Sequence, residues 1–497
     1  MSNLALPAIV LVTLVTVTIG VYGVRFARTT SDFLVASRVV SPTWNAAAIG
    51  GEYLSAASFL GVAGLVLANG VDMLWYPVGF AAGYLALLLF VAAPLRRSGA
   101  FTLPDFCEVR LGSRWLRRLA TGFVVFIGWL YLVPQLQGAG LTLETITGAP
   151  SWVGAVVVGT VVTGNVALGG MRSITFVQAF QYWLKLTALA FPVVFLLMAW
   201  QGDGRPAITD GVGEEWLLPH TGGGAPEALF ETYSLILATF LGTMGLPHVL
   251  VRFYTNPDGA AARRTTLVVL GLVGLFYLFP PLYGVLGRVY TPELAENDPD
   301  AVVLVLPGVV LGMGVLGQVL GALVAAGAFA AFLSTSSGLL TSVAGVLSTD
   351  VLARGSSSGT ARDFRIASLI AGVVPMVLAL QVAELEVSRV VGLAFAVAAS
   401  SFCPLLVLGI WWRGLTDVGA AAGIIAGGGA AALAVLLTVL GLPLEGWVGV
   451  ITGHPAAWTV PLAFGVMVVV SLATRHRLPP TVGKTMLRLH APDSLHL

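Results

Sequence analysis

The sequence predicts an all-α polytopic membrane protein with about 13 transmembrane helices, and three observations predict it. Of 497 residues, 57% are apolar and only 10% charged, with a mean hydropathy of +0.92. Soluble domains average about 45–50% apolar and about 25% charged residues, so this chain lacks the polar surface that water demands. Mainly apolar stretches recur along it, each near the roughly 20 residues that cross a bilayer as a helix. The third observation is 60 glycines, small residues that let helices approach closely where lipid replaces water. A soluble enzyme, a nucleic-acid binder and a disordered chain are excluded. A net charge of +1 leaves no basic face for nucleic acid. Cys107 and Cys403 lie far apart, without the spacing of a disulfide framework or a zinc site.

In order, the predicted spans are 5–25, 43–69, 73–95, 118–143, 151–171, 174–200, 228–250, 266–288, 316–347, 365–383, 389–412, 416–440 and 457–474. Residues 5–25 have no basic flank and no small-residue cleavage site, which predicts a retained helix rather than a signal peptide. A shorter apolar run at 301–313 predicts an interfacial or re-entrant piece, or part of the ninth span. Residues 1–474 read as one transporter-like membrane domain, and 475–497 as a short tail with no room for a signalling domain.

Charge sets the orientation. The segments Arg25–Arg38, Arg96–Arg118, Arg172, Arg252–Arg264, Arg354–Arg365, Arg413 and the tail after Arg475 hold 21 of the 25 basic residues, all on alternate loops. The opposite loops carry Asp203, Asp210, Glu214, Glu215, Glu293, Glu296, Asp298 and Asp300. The basic side is cytoplasmic, so the prediction is a multi-pass cell-membrane protein with its N-terminus outside and its C-terminus in the cytoplasm.

Two spans carry helix-breaking residues beside polar groups. The second holds Gly50-Gly51 followed by Glu52, Tyr53, Ser55 and Ser58. The seventh holds Gly242, Gly245 and Pro247, followed by His248. Broken segments in corresponding positions of two halves point to a secondary transporter's binding site. Their five-span offset predicts two repeats, about 43–200 and 228–412. The ninth span reads Gly327-Ala-Phe-Ala-Ala-Phe-Leu-Ser-Thr-Ser-Ser-Gly338. Its adjacent hydroxyls, with a carbonyl one turn earlier, suit a hard cation such as sodium. Hydroxyls that merely bond back to i−4 carbonyls or across helices would explain it as well.

These motifs carry a family resemblance. Gly51-Glu-Tyr-Leu-Ser-Ala-Ala-Ser-Phe-Leu-Gly61, Gly169-Gly-Met-Arg-Ser173, Gly245-Leu-Pro-His-Val-Leu-Val-Arg-Phe-Tyr254 and Leu333-Ser-Thr-Ser-Ser337 resemble the sodium:solute symporter family, from Ser31-Asp-Phe-Leu to Trp411-Trp-Arg-Gly-Leu-Thr416. Tyr131-Leu-Val-Pro-Gln-Leu-Gln-Gly-Ala-Gly140 and Gly245-Leu-Pro-His248 are similar to cation/acetate symporters. The resemblance implies a LeuT-type core of 5+5 inverted repeats. It implies a Na+ coupling ion held by the carbonyls of Gly51, Leu54 and Ala331 and the hydroxyls of Ser334 and Thr335. Many members have an aspartate where Gln178 stands here, so a second sodium does not carry over. For the solute, the resemblance points to Tyr53, Ser55, Ser58, Trp75, Tyr76 and Thr243.

The function expected is sodium-coupled import of a small organic anion, a monocarboxylate such as acetate, across the lipid bilayer, with no obligate protein partner. No nucleophile–base pair or metal cluster suggests an enzyme. The alternatives are symport of another solute (propionate, pyruvate or an amino acid) and a transporter-like sensor. His248 and Glu52 are expected to serve structural hydrogen bonds, and Lys185 is the one basic residue placed within a span.

Overall fold

The computed structural model describes residues 4–25, 30–38, 40–208, 214–218, 226–312, 314–353, 360–381, 387–442 and 445–493. Arg28, Arg354 and Asp210, which enter the charge pattern, lie outside them. All regular structure among the described residues is helical. Among the described residues, eleven helices are long and apolar enough to cross a membrane. Two of these are interrupted at a positive-φ glycine. Ser151–Gly202 has 52 residues, or about 78 Å of helix against a hydrocarbon core of about 30 Å. It bends at Gly170, where φ is 56°, at the junction expected between two spans. Ala57–Arg97 has 41 residues and is interrupted at Gly70, where φ is 81°. Thirteen crossings follow if each interruption is a turn, which we propose.

The ends follow local chemistry. Thr102 caps Leu103–Leu111 with a reciprocal capping box to Asp105, and Gly112 ends that helix in the left-handed region at φ 69°. Ser113 then caps the 34-residue helix Arg114–Thr147, which Gly148 closes at φ 74°. The apolar run near 301–313 is a separate short helix, Val302–Leu311, ended by Gly312 and so not part of the ninth span. The described part of the tail packs on the helices: in Val482–His490, Met486 and Leu489 are buried, Trp411 meets the His490 ring at 4.9 Å, and Arg97 pairs with Asp493 at 3.1 Å.

At the centre, the hydroxyl-bearing helix Val315–Val346 packs chiefly on Ser151–Gly202, which also packs on Pro42–Tyr53. Pro226–Gly245 packs on Val387–Trp411. Glycines make these seams close. A Cβ at Gly51 would overlap the Gln178 carbonyl oxygen, and Cβ atoms at Gly242 and Gly245 would press on the carbonyls of Phe395 and Ala398. No side chain larger than hydrogen fits there.

Candidate functional site

The first broken helix begins at Pro42, where the missing N–H costs nothing, and stops at Tyr53. Leu54 leaves the helical region with ψ 82°, and helix resumes at Ala57. The break lies three residues beyond the expected Gly50-Gly51. Those glycines instead admit Tyr182 and the Gln178 backbone.

A helix that ends inside a protein leaves carbonyls without partners, and each buried one needs a donor. All four at this end have one. Tyr53 O accepts from Ser55 N at 2.8 Å, and Glu52 O accepts from Thr335 Oγ1 at 2.7 Å. Gly51 O and Leu54 O both accept from Lys185 Nζ, at 2.6 and 2.5 Å. The same ammonium donates to Ser334 Oγ at 3.0 Å. Of the five oxygens expected to ligate sodium, Gly51 O, Leu54 O and Ser334 Oγ meet at Lys185 Nζ, while Ala331 O accepts from Ser334 Oγ at 3.1 Å and Thr335 Oγ1 is taken by Glu52 O. Three of the five face Lys185.

Beside this knot, Arg252 and Glu52 form an ion pair at 2.6 Å, with side chains 0% and 1% exposed. Arg252 also donates to Thr175 Oγ1 at 2.9 Å and to Gln178 Oε1. Gln178 passes the link on through Nε2 to the Ser334 carbonyl at 2.8 Å. Arg252 was expected among the cytoplasmic loop charges. The structure corrects this, because after the second break only the five-residue helix Pro247–Val251 precedes it. That is about 8 Å of rise, too little to carry the guanidinium out.

The second break falls where expected. Pro226–Gly245 ends, Leu246 is extended (φ −70°, ψ 115°), and Pro247 restarts the helix. Thr243 sits one turn before it and donates to Thr239 O at 2.7 Å, so Tyr53 O–H donates to Thr243 Oγ1, also at 2.7 Å. Ser58 Oγ and Tyr277 OH are 2.8 Å apart, and Ser55 bonds to Tyr131. Tyr53, Ser55, Ser58 and Thr243 therefore meet at the break. Aromatic rings close around them: Tyr53 stands edge-on to Tyr84 at 4.6 Å, Phe80 stacks on Tyr277 at 5.9 Å, and Phe395 lies 4.9 Å from Phe80.

Tyr76 meets the Phe80 ring of this cluster at 6.1 Å, and Trp75 opens the same helix half-buried. His248 is buried edge-on to Tyr131 at 5.6 Å, and its Nε2 has no hydrogen-bond partner among the described residues, so the structural bond expected of that nitrogen is not seen. Sequence reasoning missed the parts of Phe80, Tyr131, Tyr277 and Phe395, since aromatic residues in an apolar chain carry no positional mark. The signal for Lys185 was present: an ionisable group within a span is a functional position by default.

Two clefts flank the break. One, of about 30 Å³, is lined by Ala56, Leu60, Gly138, Asp300 and Phe332. The other, of about 10 Å³, is lined by Pro247, Val251, Thr341 and Ser342. Along Val315–Val346 the oxygens at Ser334 and Thr335 fall between them.

The chain and its fold have counterparts among known proteins. The chain is 32% identical over 427 residues to the uncharacterized symporter YwcA of Bacillus subtilis, covering 83% of this chain and 82% of that one. It is 31% identical over 485 residues to a monocarboxylic acid transporter of Corynebacterium glutamicum, covering 91% and 88%. In fold it matches a Na+-coupled sialic acid symporter at a TM-score of 0.72 and 17% identity, over 94% of this chain and 98% of that one. It matches the transporter MhsT, solved with L-phenylalanine, at 0.52 and 16%, over 88% and 98%. Both neighbours are built on the LeuT fold. The sequence profile of the sodium:solute symporter family matches residues 33–427, and the chain belongs to that family.

Proposed function

We propose that this chain is a secondary active symporter that takes up a small monocarboxylate, acetate first among them, by alternating access. The observation that carries the anionic solute is the charge at the break. Among the described residues, two cations (Lys185 and Arg252) and one carboxylate (Glu52) are buried there, leaving a surplus positive charge that favours an anion. The polar groups beside it are small hydroxyls and phenols hemmed in by aromatic rings, which suits a solute of a few heavy atoms. Tyr53, Ser55, Ser58 and Thr243 are its contacts in this reading, with Trp75 and Tyr76 toward the outside. A relative named a monocarboxylic acid transporter supports the solute class. Family membership supports coupling to sodium. The narrow clefts on both sides of the break suit an occluded arrangement between inward- and outward-facing forms.

Proteoliposomes with an imposed sodium gradient should accumulate labelled acetate, with competition from propionate and pyruvate. Vesicles that accumulate proline or glucose but not acetate would overturn the assignment.

A further inference from the structure

We infer that the ammonium of Lys185 is the resident cation of the broken helix, filling the seat that the family resemblance gives to sodium. Three elements meet at that seat: the break at Gly51–Leu54, the hydroxyl-bearing helix at Ser334, and Ser151–Gly202, which supplies Lys185. Nζ bonds to Gly51 O, Leu54 O and Ser334 Oγ at 2.6, 2.5 and 3.0 Å.

The hydrogen bonds match a charged group. Ser334 Oγ lies 3.1 Å from Ala331 O, which accepts its proton and leaves its lone pairs toward Lys185. Nζ then faces three acceptors, which the three N–H donors of an ammonium serve; a neutral amine would serve them only with the Ser334 proton turned onto the nitrogen. The side chain is 0% exposed, and among the described residues no carboxylate lies within ion-pair distance of it. Glu52 is taken by Arg252. What holds the charge is the carbonyl end of the half-helix, the negative pole of its dipole. This is the work a bound ion would do, tying the broken helix to the hydroxyl-bearing one, but here the protein's own side chain does it. Sodium that drives transport therefore does not bind through Ser334 and Thr335.

The inference deepens the transport reading by naming the cation at its site, and its test needs no solute. Binding of radioactive 22Na+ is measured on purified full-length protein, with choline replacing sodium in the control. Wild type should show no sodium binding that Thr335→Ala removes. Lys185→Ala, checked for a single monodisperse species, should gain sodium binding, and adding Thr335→Ala should abolish the gain. Wild-type sodium binding that disappears in Thr335→Ala overturns the inference, as does a folded Lys185→Ala protein that stays blind to sodium. If Lys185→Ala does not fold, the comparison of wild type with Thr335→Ala decides. Failure of acetate uptake alongside these binding results would remove the solute reading and leave the cation assignment standing.

Discussion

Glu52 and Arg252 show what one buried contact commits the molecule to. Their 2.6 Å pair is sealed from solvent, so its worth lies less in attraction than in what remains if one partner goes. Glu52→Ala should strand the guanidinium and cost about 3–5 kcal/mol, seen as a large fall in thermal midpoint in detergent. The double variant Glu52→Ala/Arg252→Ala should recover part of that loss, because no lone charge is left buried; a double variant as unstable as the sum of both single ones would contradict this. The sequence showed Glu52 as an acid beside a break, but not its partner. Arg252 follows Pro247 and His248 in a segment that reads as leaving the membrane, and only the folded turn shows the helix ending too soon. Lys185 was legible as an oddity, and its acceptors were legible as a cation seat. That the two coincide depends on packing between segments more than 130 residues apart, which no local pattern encodes.

Breaks and bends were the most legible elements, because each requires a residue type that helices avoid. Leu246 leaves the helix between Gly245 and Pro247, as their spacing predicts. The first break was displaced by three residues, since glycine in a membrane helix serves two ends, bending and close packing, and Gly50-Gly51 serve the second. Gly170 serves the first: at φ 56° it stands in the left-handed region, and a Cβ there would press on Phe33. Gly170→Ala should therefore cost about 1–3 kcal/mol in backbone strain alone. A lower thermal midpoint than wild type is the readout, and an unchanged midpoint would show that the bend is not held as described. Gly164, in the same helix with open space around its Cβ, is the control, and Gly164→Ala should be neutral or mildly stabilising.

At the scale of the whole molecule, the segregation of basic residues sets the orientation. We propose an external N-terminus and a cytoplasmic C-terminus, and a reporter fused after Leu497 should be active only as a cytoplasmic type. Periplasmic activity at that junction would reverse the topology. Asp493 pairs with Arg97, so this part of the tail and the end of the third predicted span share one side. The contact between Lys185 and the broken helix also has an environmental consequence. Occupancy of a site by a free ion rises and falls with that ion's concentration. A cation on a tether experiences a constant effective concentration, fixed by the length and packing of its side chain. The central joint of this transporter would then hold its shape equally in brine and in fresh water, and salinity would act on the supply of driving ion without loosening the machine that uses it.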